Sequence, residues 1–77
     1  MQIRVGNLNK MTTPGQLAEL FQPFGRVFSV RIVSIGMDGR SQGTGLIQMD
    51  TSCGRRAVRK LHWLLFMNSY IEVDEIS

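Results

Sequence analysis

Four stretches of the chain carry hydrophobic and polar patterns that predict β-strands. Residues 2–5 read Gln-Ile-Arg-Val and residues 70–74 read Tyr-Ile-Glu-Val-Asp, so inward-facing and outward-facing side chains alternate in both. Residues 27–33 are rich in β-branched side chains, and residues 43–49 carry two glycines in an otherwise strand-like run. Residues 36–41 have the composition of a turn, which separates the second predicted strand from the third.

A first helix is predicted between the first two strands. Residues 13–16 read Thr-Pro-Gly-Gln, in which Thr13 can cap the helix and Gln16 can complete a capping box, with proline at the favourable first position. This helix must end near Gln22, because Pro23 disfavours helical geometry in the residue before it.

A second helix is predicted from Thr51 or Ser52 to about His62. Each helix has a single apolar stripe, so both should cover the same face of one antiparallel sheet and leave the other face open. The element order is β-α-β-β-α-β, and function is expected on the open face. The residues predicted to be buried between sheet and helices are Ile3, Val5, Leu17, Leu20, Phe21, Val30, Ile32, Ile47, Met49, Ala57, Leu61, Ile71 and Val73.

Composition narrows the classes of function. The length of 77 residues predicts one domain over residues 1–77. The longest apolar run, residues 63–67, is too short to span a membrane, so no membrane partner is expected. The N-terminal residues alternate as in a strand and not as in a signal peptide, so the cytoplasm is expected. Cys53 and His62 are the only cysteine and histidine, and no nucleophile–base pair is visible, so we expect no metal, no cofactor and no enzyme activity. A net charge of +3 permits an acidic partner.

Two short segments resemble the signatures of a known family, the RNA recognition motif. Residues 3–8 read Ile-Arg-Val-Gly-Asn-Leu, and residues 42–49 read Gln-Gly-Thr-Gly-Leu-Ile-Gln-Met, against a family pattern of K/R-G-F/Y-G/A-F-V-x-F/Y. Residues 17–27 and 66–73 resemble the first helix with its following turn and the approach to the last strand. The resemblance implies an α+β, ferredoxin-like sandwich with strand order 4-1-3-2 and both helices on one face. The size is that of stand-alone bacterial members.

The resemblance implies binding of single-stranded RNA, or of single-stranded DNA, across the open sheet face. Family members stack two or three bases on aromatic rings of the two signatures. The matching positions here are Arg4, Thr44 and Leu46, none of them aromatic, so we expect weakened binding. The candidate RNA-binding residues are Arg4, Arg31, Arg40, Gln42, Thr44, Leu46, Gln48 and Tyr70.

Several of these residues also have a purely structural interpretation. Arg4 either contacts nucleic acid or pairs with Glu72 on the neighbouring last strand. Arg31 and Arg40 either contact nucleic acid or are solvated charges. Tyr70 is either a stacking platform or an aromatic residue at the edge of a strand. Asn7 is predicted to form a turn by bonding its own backbone.

The alternative function is a protein-interaction module on the same fold, binding a partner or a second copy. Exposed Leu46 and Val33 on the sheet, with Phe28 and Trp63 elsewhere, would suit such a contact. The basic run at residues 55–60 is predicted to be the solvated side of the second helix.

Overall fold

The computed structural model of the chain describes residues 1–34 and 43–76, with the side chain of Ser34 excepted. The predicted turn at residues 36–41, with Arg40, and the candidate residue Gln42 lie outside the described residues. The elements are β1 (Gln2–Leu8), α1 (Pro14–Phe21), a short 3-10 turn (Gln22–Phe24), β2 (Val27–Ser34), β3 (Gly43–Met49), α2 (Thr51–Leu61), β4 (Leu65–Phe66), β5 (Ser69–Tyr70) and β6 (Glu72–Glu75).

The main sheet has four antiparallel strands in the spatial order β2-β3-β1-β6. Read from the other edge, this is the last predicted strand, then the first, third and second, so the predicted order 4-1-3-2 is confirmed. Both helices pack on one face of this sheet, and the other face is open, as predicted. Neither helix of the described ranges is long and apolar enough to cross a membrane.

The capping box predicted for α1 is present. The backbone N–H of Gln16 donates to the Thr13 hydroxyl at 3.2 Å, and the backbone N–H of Thr13 donates to the Gln16 side chain at 2.9 Å. After the 3-10 turn, Gly25 reverses the chain with a φ of 149°. Any larger residue would be strained there, and its Cβ would also collide with the sulfur of Cys53.

A small hairpin that the sequence pattern did not predict precedes the last strand. β4 pairs with β5, and the two residues between them, Met67 and Asn68, have φ values of 51° and 64°, as a tight hairpin turn requires. The predicted strand at residues 70–74 is therefore wrong as a single element. Its first residue belongs to the hairpin, and the strand of the main sheet begins at Glu72.

The outer edge of β6 is occupied by the segment between α2 and β4. The backbone N–H of Ile71 donates to the Leu64 carbonyl at 3.0 Å, and the N–H of Trp63 donates to the Ile71 carbonyl at 2.7 Å. The next outward N–H, that of Val73, donates to Nδ1 of the His62 ring at 3.0 Å. Backbone and side chain together thus occupy the outer edge at the start of this strand, at Ile71 and Val73.

Most of the predicted core is fully buried between the sheet and the helices. Leu20, Val30 and Ile32 are exceptions, because they are only half-buried and pack against the margin of the core. For Val30 and Ile32 the reason is the position of β2 at an edge of the sheet, where one flank has no neighbouring strand. Leu8 is buried although simple alternation from Ile3 would place it on the open face.

A bulge explains the burial of Leu8. The pairing of β1 with β3 shifts between Val5 and Leu8, and Asn7 within the bulge has a left-handed φ of 60°. A bulge inserts one extra residue and so returns the following side chain to the same face. Leu8 therefore joins Val5 in the core, opposite Gly43.

Candidate nucleic-acid interface

Four side chains form a row across the open face of the sheet. In the strand pairings, Arg4 of β1 lies opposite Leu46 of β3, and Leu46 lies opposite Arg31 of β2. On its other side Arg4 lies opposite Asp74 of β6. Directly opposed residues of antiparallel strands project from the same face, so Asp74, Arg4, Leu46 and Arg31 are successive neighbours. We call these four residues the central row.

Arg4 is held by an ion pair within the central row. Its Nη1 lies 3.3 Å from Oδ2 of Asp74, and the two side chains are 41% and 52% exposed. One of the two interpretations left open by the sequence was an ion pair with Glu72, and for this interpretation the partner is wrong. The register places Glu72 opposite Gly6, one pair further along β6 on this face. An ion pair with this exposure contributes about 0.2–1 kcal/mol, so it orients Arg4 without locking it.

Gly6 gives the Arg4 guanidinium its place on the sheet. A Cβ at Gly6 would approach Nη2 of Arg4 to 2.8 Å, so the guanidinium extends over the glycine. A larger residue would push the Arg4 side chain away from the strand. The two residues together therefore form a flat, charged surface at the centre of β1.

The remaining open-face positions of β3 are polar. Thr44 is half-buried and Gln48 is exposed, on either side of Leu46 along the strand. Gln48 lies opposite Gln2 of β1 and Ser29 of β2, so a second, uncharged row runs beside the central row. These amides and hydroxyls offer both donors and acceptors to a ligand on the sheet.

Tyr70 lies outside the main sheet, in β5 of the small hairpin, and is 58% exposed. Its carbonyl accepts a hydrogen bond of 2.8 Å from the side-chain amide of Asn7. A second amide, that of Asn9, donates to the Met67 carbonyl at 2.8 Å. The hairpin is thus fixed to the end of β1. Asn7 is structural, as predicted, but its amide bonds the hairpin and not its own backbone.

The structure brings together five of the predicted site residues and places a sixth, Tyr70, away from them. Those on the open face of the main sheet are Arg4, Arg31, Thr44, Leu46 and Gln48. Tyr70 is in the hairpin, and Arg40 and Gln42 lie outside the described residues. Three open-face neighbours, Gln2, Ser29 and Asp74, were not predicted. Alternation could have placed Gln2 and Asp74 on this face, but only the strand register shows that Asp74 lies directly opposite Arg4 and that Ser29 lies opposite Gln48.

Charges on the open face nearly cancel. Its described charged residues are two cations, Arg4 and Arg31, and two anions, Glu72 and Asp74. No cluster of three or more potential metal-ligating side chains occurs within residues 1–34 and 43–76. The open face offers hydrogen-bonding, apolar and planar cationic groups side by side.

The model of the RNA recognition motif family matches residues 3–72 of the chain. The chain belongs to the RNA recognition motif family. In these terms, the central row contains two of the three positions at which family members carry base-stacking aromatic residues, Arg4 and Leu46. The third position is Thr44, which lies two residues before Leu46 on the same face of β3.

Similar proteins with RNA-binding names occur in distant organisms. The human protein named "Probable RNA-binding protein 23" is 35% identical over 63 residues, which are 80% of this chain and 14% of that protein. The Nostoc sp. (strain PCC 7120) protein named "Putative RNA-binding protein RbpE" is 29% identical over 76 residues, which are 97% of this chain and 77% of that protein. The chain thus corresponds to a small part of the human relative and to most of the cyanobacterial one.

Solved structures agree with the RNA recognition motif fold. The crystal structure of RNA Binding Protein PG1 superposes with a TM-score of 0.86 at 36% identity, covering 99% of this chain and 93% of that one. The Rna15 RRM with bound RNA (GU) superposes with a TM-score of 0.82 over 99% of this chain and 82% of that one. Its identity of 22% makes it a likeness of fold alone.

Proposed function

We propose that this chain binds single-stranded RNA across the open face of the sheet, with the central row at the middle of the interface. The observation that carries the proposal is the adjacency of Arg4, Leu46 and Arg31 in that row. A guanidinium plane can stack on a base or bind a phosphate, and both arginines flank an apolar side chain that can meet a base. Family membership and the names of the relatives support RNA as the ligand.

Binding should be weaker than in family members that keep their aromatic residues. One stacked base is worth about 1–3 kcal/mol, and each 1.4 kcal/mol is about tenfold in affinity. Arg4 restores part of this loss, but its charge is shared with Asp74. Single-stranded DNA is a second proposed ligand, since phosphate contacts and stacking do not require the ribose 2′-hydroxyl.

Further contacts are proposed for the other candidate residues. Thr44 and Gln48 supply hydrogen bonds beside the central row, and Tyr70 supplies a ring from the hairpin. Arg40 and Gln42 are proposed from the sequence alone. We propose a binding module without enzyme activity or cofactor. Its cytoplasmic location and bacterial origin stay predictions.

A chemical-shift titration with short RNA and DNA pools at low salt tests the proposal. Backbone amides of Arg4, Leu46 and Arg31 should shift together, because one ligand covers all three strands. The amide of Glu19, on the exposed side of α1, is the internal control and should not shift. Absence of any shift with every RNA and DNA pool would overturn the nucleic-acid function and leave the fold.

A second candidate function is contact with a protein through the β2 side of the sheet. Within the described residues β2 has no strand beyond it, and Phe28 and Val33 are 56% and 44% exposed. An exposed edge strand with apolar side chains can accept a strand from a partner or a second copy. Such a partner should bind independently of salt and should be lost on Leu46→Asp or Phe28→Ser. Nucleic-acid binding, by contrast, should weaken as salt rises.

A further inference from the structure

We propose that the exposed side of α2 is a second RNA-contacting surface, which binds phosphates of the strand that lies on the sheet. This inference rests on the proposed function and extends it to the opposite side of the domain. The surface, called the α2 basic face below, consists of Arg55, Arg56, Arg59 and Lys60, all exposed.

Charge is distributed unevenly between the two sides of the domain. On the open face the described cations and anions are equal in number. α2, by contrast, contains four cations and no acidic residue after its N-cap, Asp50. A polyanion therefore meets a more positive surface on α2 than on the sheet, and charge of one sign attracts nucleic acid independently of its sequence.

The cations of the α2 basic face are spaced so that like charges lie next to each other. Arg55 and Arg59 are four residues apart on the helix, and so are Arg56 and Lys60. Residues four apart are neighbours on a helix surface, and like charges in such pairs repel and destabilise it. The helix end stabilises Arg59 and Lys60 in the last turn, and Arg55 and Arg56 have protein partners in Glu75 and the Phe24 carbonyl, but none of these contacts removes the repulsion between the pairs. A phosphate backbone along the face would relieve both repulsions.

Two of the four cations are already engaged and two are available. Arg55 Nε lies 4.0 Å from Oε1 of Glu75, and Arg56 Nη2 donates to the Phe24 carbonyl at 3.0 Å. Arg59 and Lys60 form no ion pair with any other residue in the described ranges. We therefore assign the phosphate contacts to Arg59 and Lys60.

The chain contains its own reporter for this surface. Trp63, the only tryptophan of the sequence, follows Lys60 by three residues and is 58% exposed. Its backbone is fixed by the hydrogen bond from its N–H to the Ile71 carbonyl, at a left-handed φ of 66°. RNA that reaches the end of α2 should alter the fluorescence of this ring.

The proposal makes binding depend on RNA length. The domain measures 36 × 20 × 20 Å, and a strand must pass around its edge to touch both the sheet and α2. An oligonucleotide of about four nucleotides suffices for one binding face, whereas one of about sixteen nucleotides can extend past the edge of the sheet to α2. Short RNA should therefore bind the sheet alone, and long RNA both surfaces.

The experiment compares Arg59→Gln/Lys60→Gln with the wild type on both RNA lengths over a range of salt concentrations. With long RNA the log–log salt slope should flatten by about 1.4, at about 0.7 per lost phosphate contact, and affinity near 0.1 M salt should fall roughly tenfold or more. Trp63 fluorescence should change with long RNA in the wild type only. With short RNA the two proteins should bind alike. Lys10→Gln, in the loop between β1 and α1, is the control for removal of an exposed cation and should leave the long-RNA slope within about 0.2 of wild type.

The outcomes separate this inference from the proposed function. If wild type binds neither RNA, the proposed function itself fails. If wild type binds long RNA but the double variant keeps the same slope and affinity, the sheet function stands and the α2 surface is overturned. The α2 surface is likewise overturned if Lys10→Gln reproduces the double variant. A second assay measures binding to anionic lipid vesicles. If the wild type binds these vesicles, and the double variant loses this binding but keeps its affinity for long RNA, the α2 surface is overturned in favour of a membrane role for α2.

Discussion

The two faces of the sheet differ in how closely they follow the family pattern. On the covered face of β3, Gly43 and Gly45 match the family signature, Ile47 and Met49 are apolar where the signature has valine and an aromatic residue, and all four are buried. On the open face, the positions at which family members have aromatic residues carry Arg4 on β1 and Thr44 and Leu46 on β3. A buried position is constrained by packing against helices, whereas an open position is constrained only by the ligand. The difference shows that fold and ligand contacts can change separately on alternate residues of one strand.

The largest expected effect comes from the covered face. Phe21→Ala removes a fully buried ring of α1 and should lower the free energy of unfolding by about 3–5 kcal/mol. Leu46→Ala is the matched truncation on the open face and should cost well under half as much, because Leu46 is only half-buried. Urea denaturation measures both. Equal losses would contradict the proposed division between the faces.

Restoring aromatic residues to the open face should change binding without changing the fold. Arg4→Tyr with Leu46→Phe adds two stacking platforms at about 1–3 kcal/mol each and removes one cation. We expect affinity for short RNA to rise by several tens of fold and the salt slope to flatten by about 0.7. Titration calorimetry at several salt concentrations measures both quantities. The single variant Leu46→Phe should raise affinity with the slope unchanged.

A smaller gain is expected from releasing Arg4. Asp74→Asn removes the partner of the guanidinium and should strengthen short-RNA binding by about two- to fivefold, in line with an exposed ion pair of about 0.2–1 kcal/mol. Glu72→Gln removes the same charge from the same strand without touching an ion pair, so it corrects for the general effect of charge. Should both variants bind equally well, the Arg4–Asp74 pair has no role in restraining the ligand.

The smallest effect is expected at the outer edge of β6, which we call the rim between the open and the covered face of the sheet. His62→Ala removes the acceptor of the Val73 N–H and should lower the free energy of unfolding by about 1 kcal/mol. His62→Asn, whose Oδ1 can take the place of Nδ1, should recover most of this loss. Short-RNA affinity should not change in either variant, since neither face is altered. A matching drop in affinity would show that the rim and the open face are coupled.

The sequence predicted what local chemistry and alternation determine. The capping box of Thr13 and Gln16 located the start of α1, and alternation placed Ile3 and Val5 in the core. The strand order followed from the family resemblance. The open-face positions Arg4, Leu46 and Arg31 were also predicted, although not that they are direct neighbours.

The errors at the site have one physical origin, which is register, whereas the half-burial of Val30 and Ile32 follows from the edge position of β2. The ion pair of Arg4 depends on where β6 begins, and the unpredicted hairpin with Met67 and Asn68 in its turn sets that position. Neither residue is a glycine, so the usual signal of a two-residue turn was absent. The burial of Leu8 depends in the same way on the bulge at Asn7. Both features are set by contacts between segments far apart in the chain.

The occupied start of the outer edge of β6 affects how copies of this protein can pair their strands at high concentration. An open sheet with two free edges can add strand after strand from neighbouring molecules, and a head-to-tail contact of this type grows into a fibre. Here the outward N–H groups of Ile71 and Val73 are already taken by Leu64 and His62. A strand from a second copy would find these two donors occupied, so the β2 edge is the easier one for it to join. One histidine ring and a short piece of backbone thus protect this part of the sheet from pairing with a neighbouring molecule.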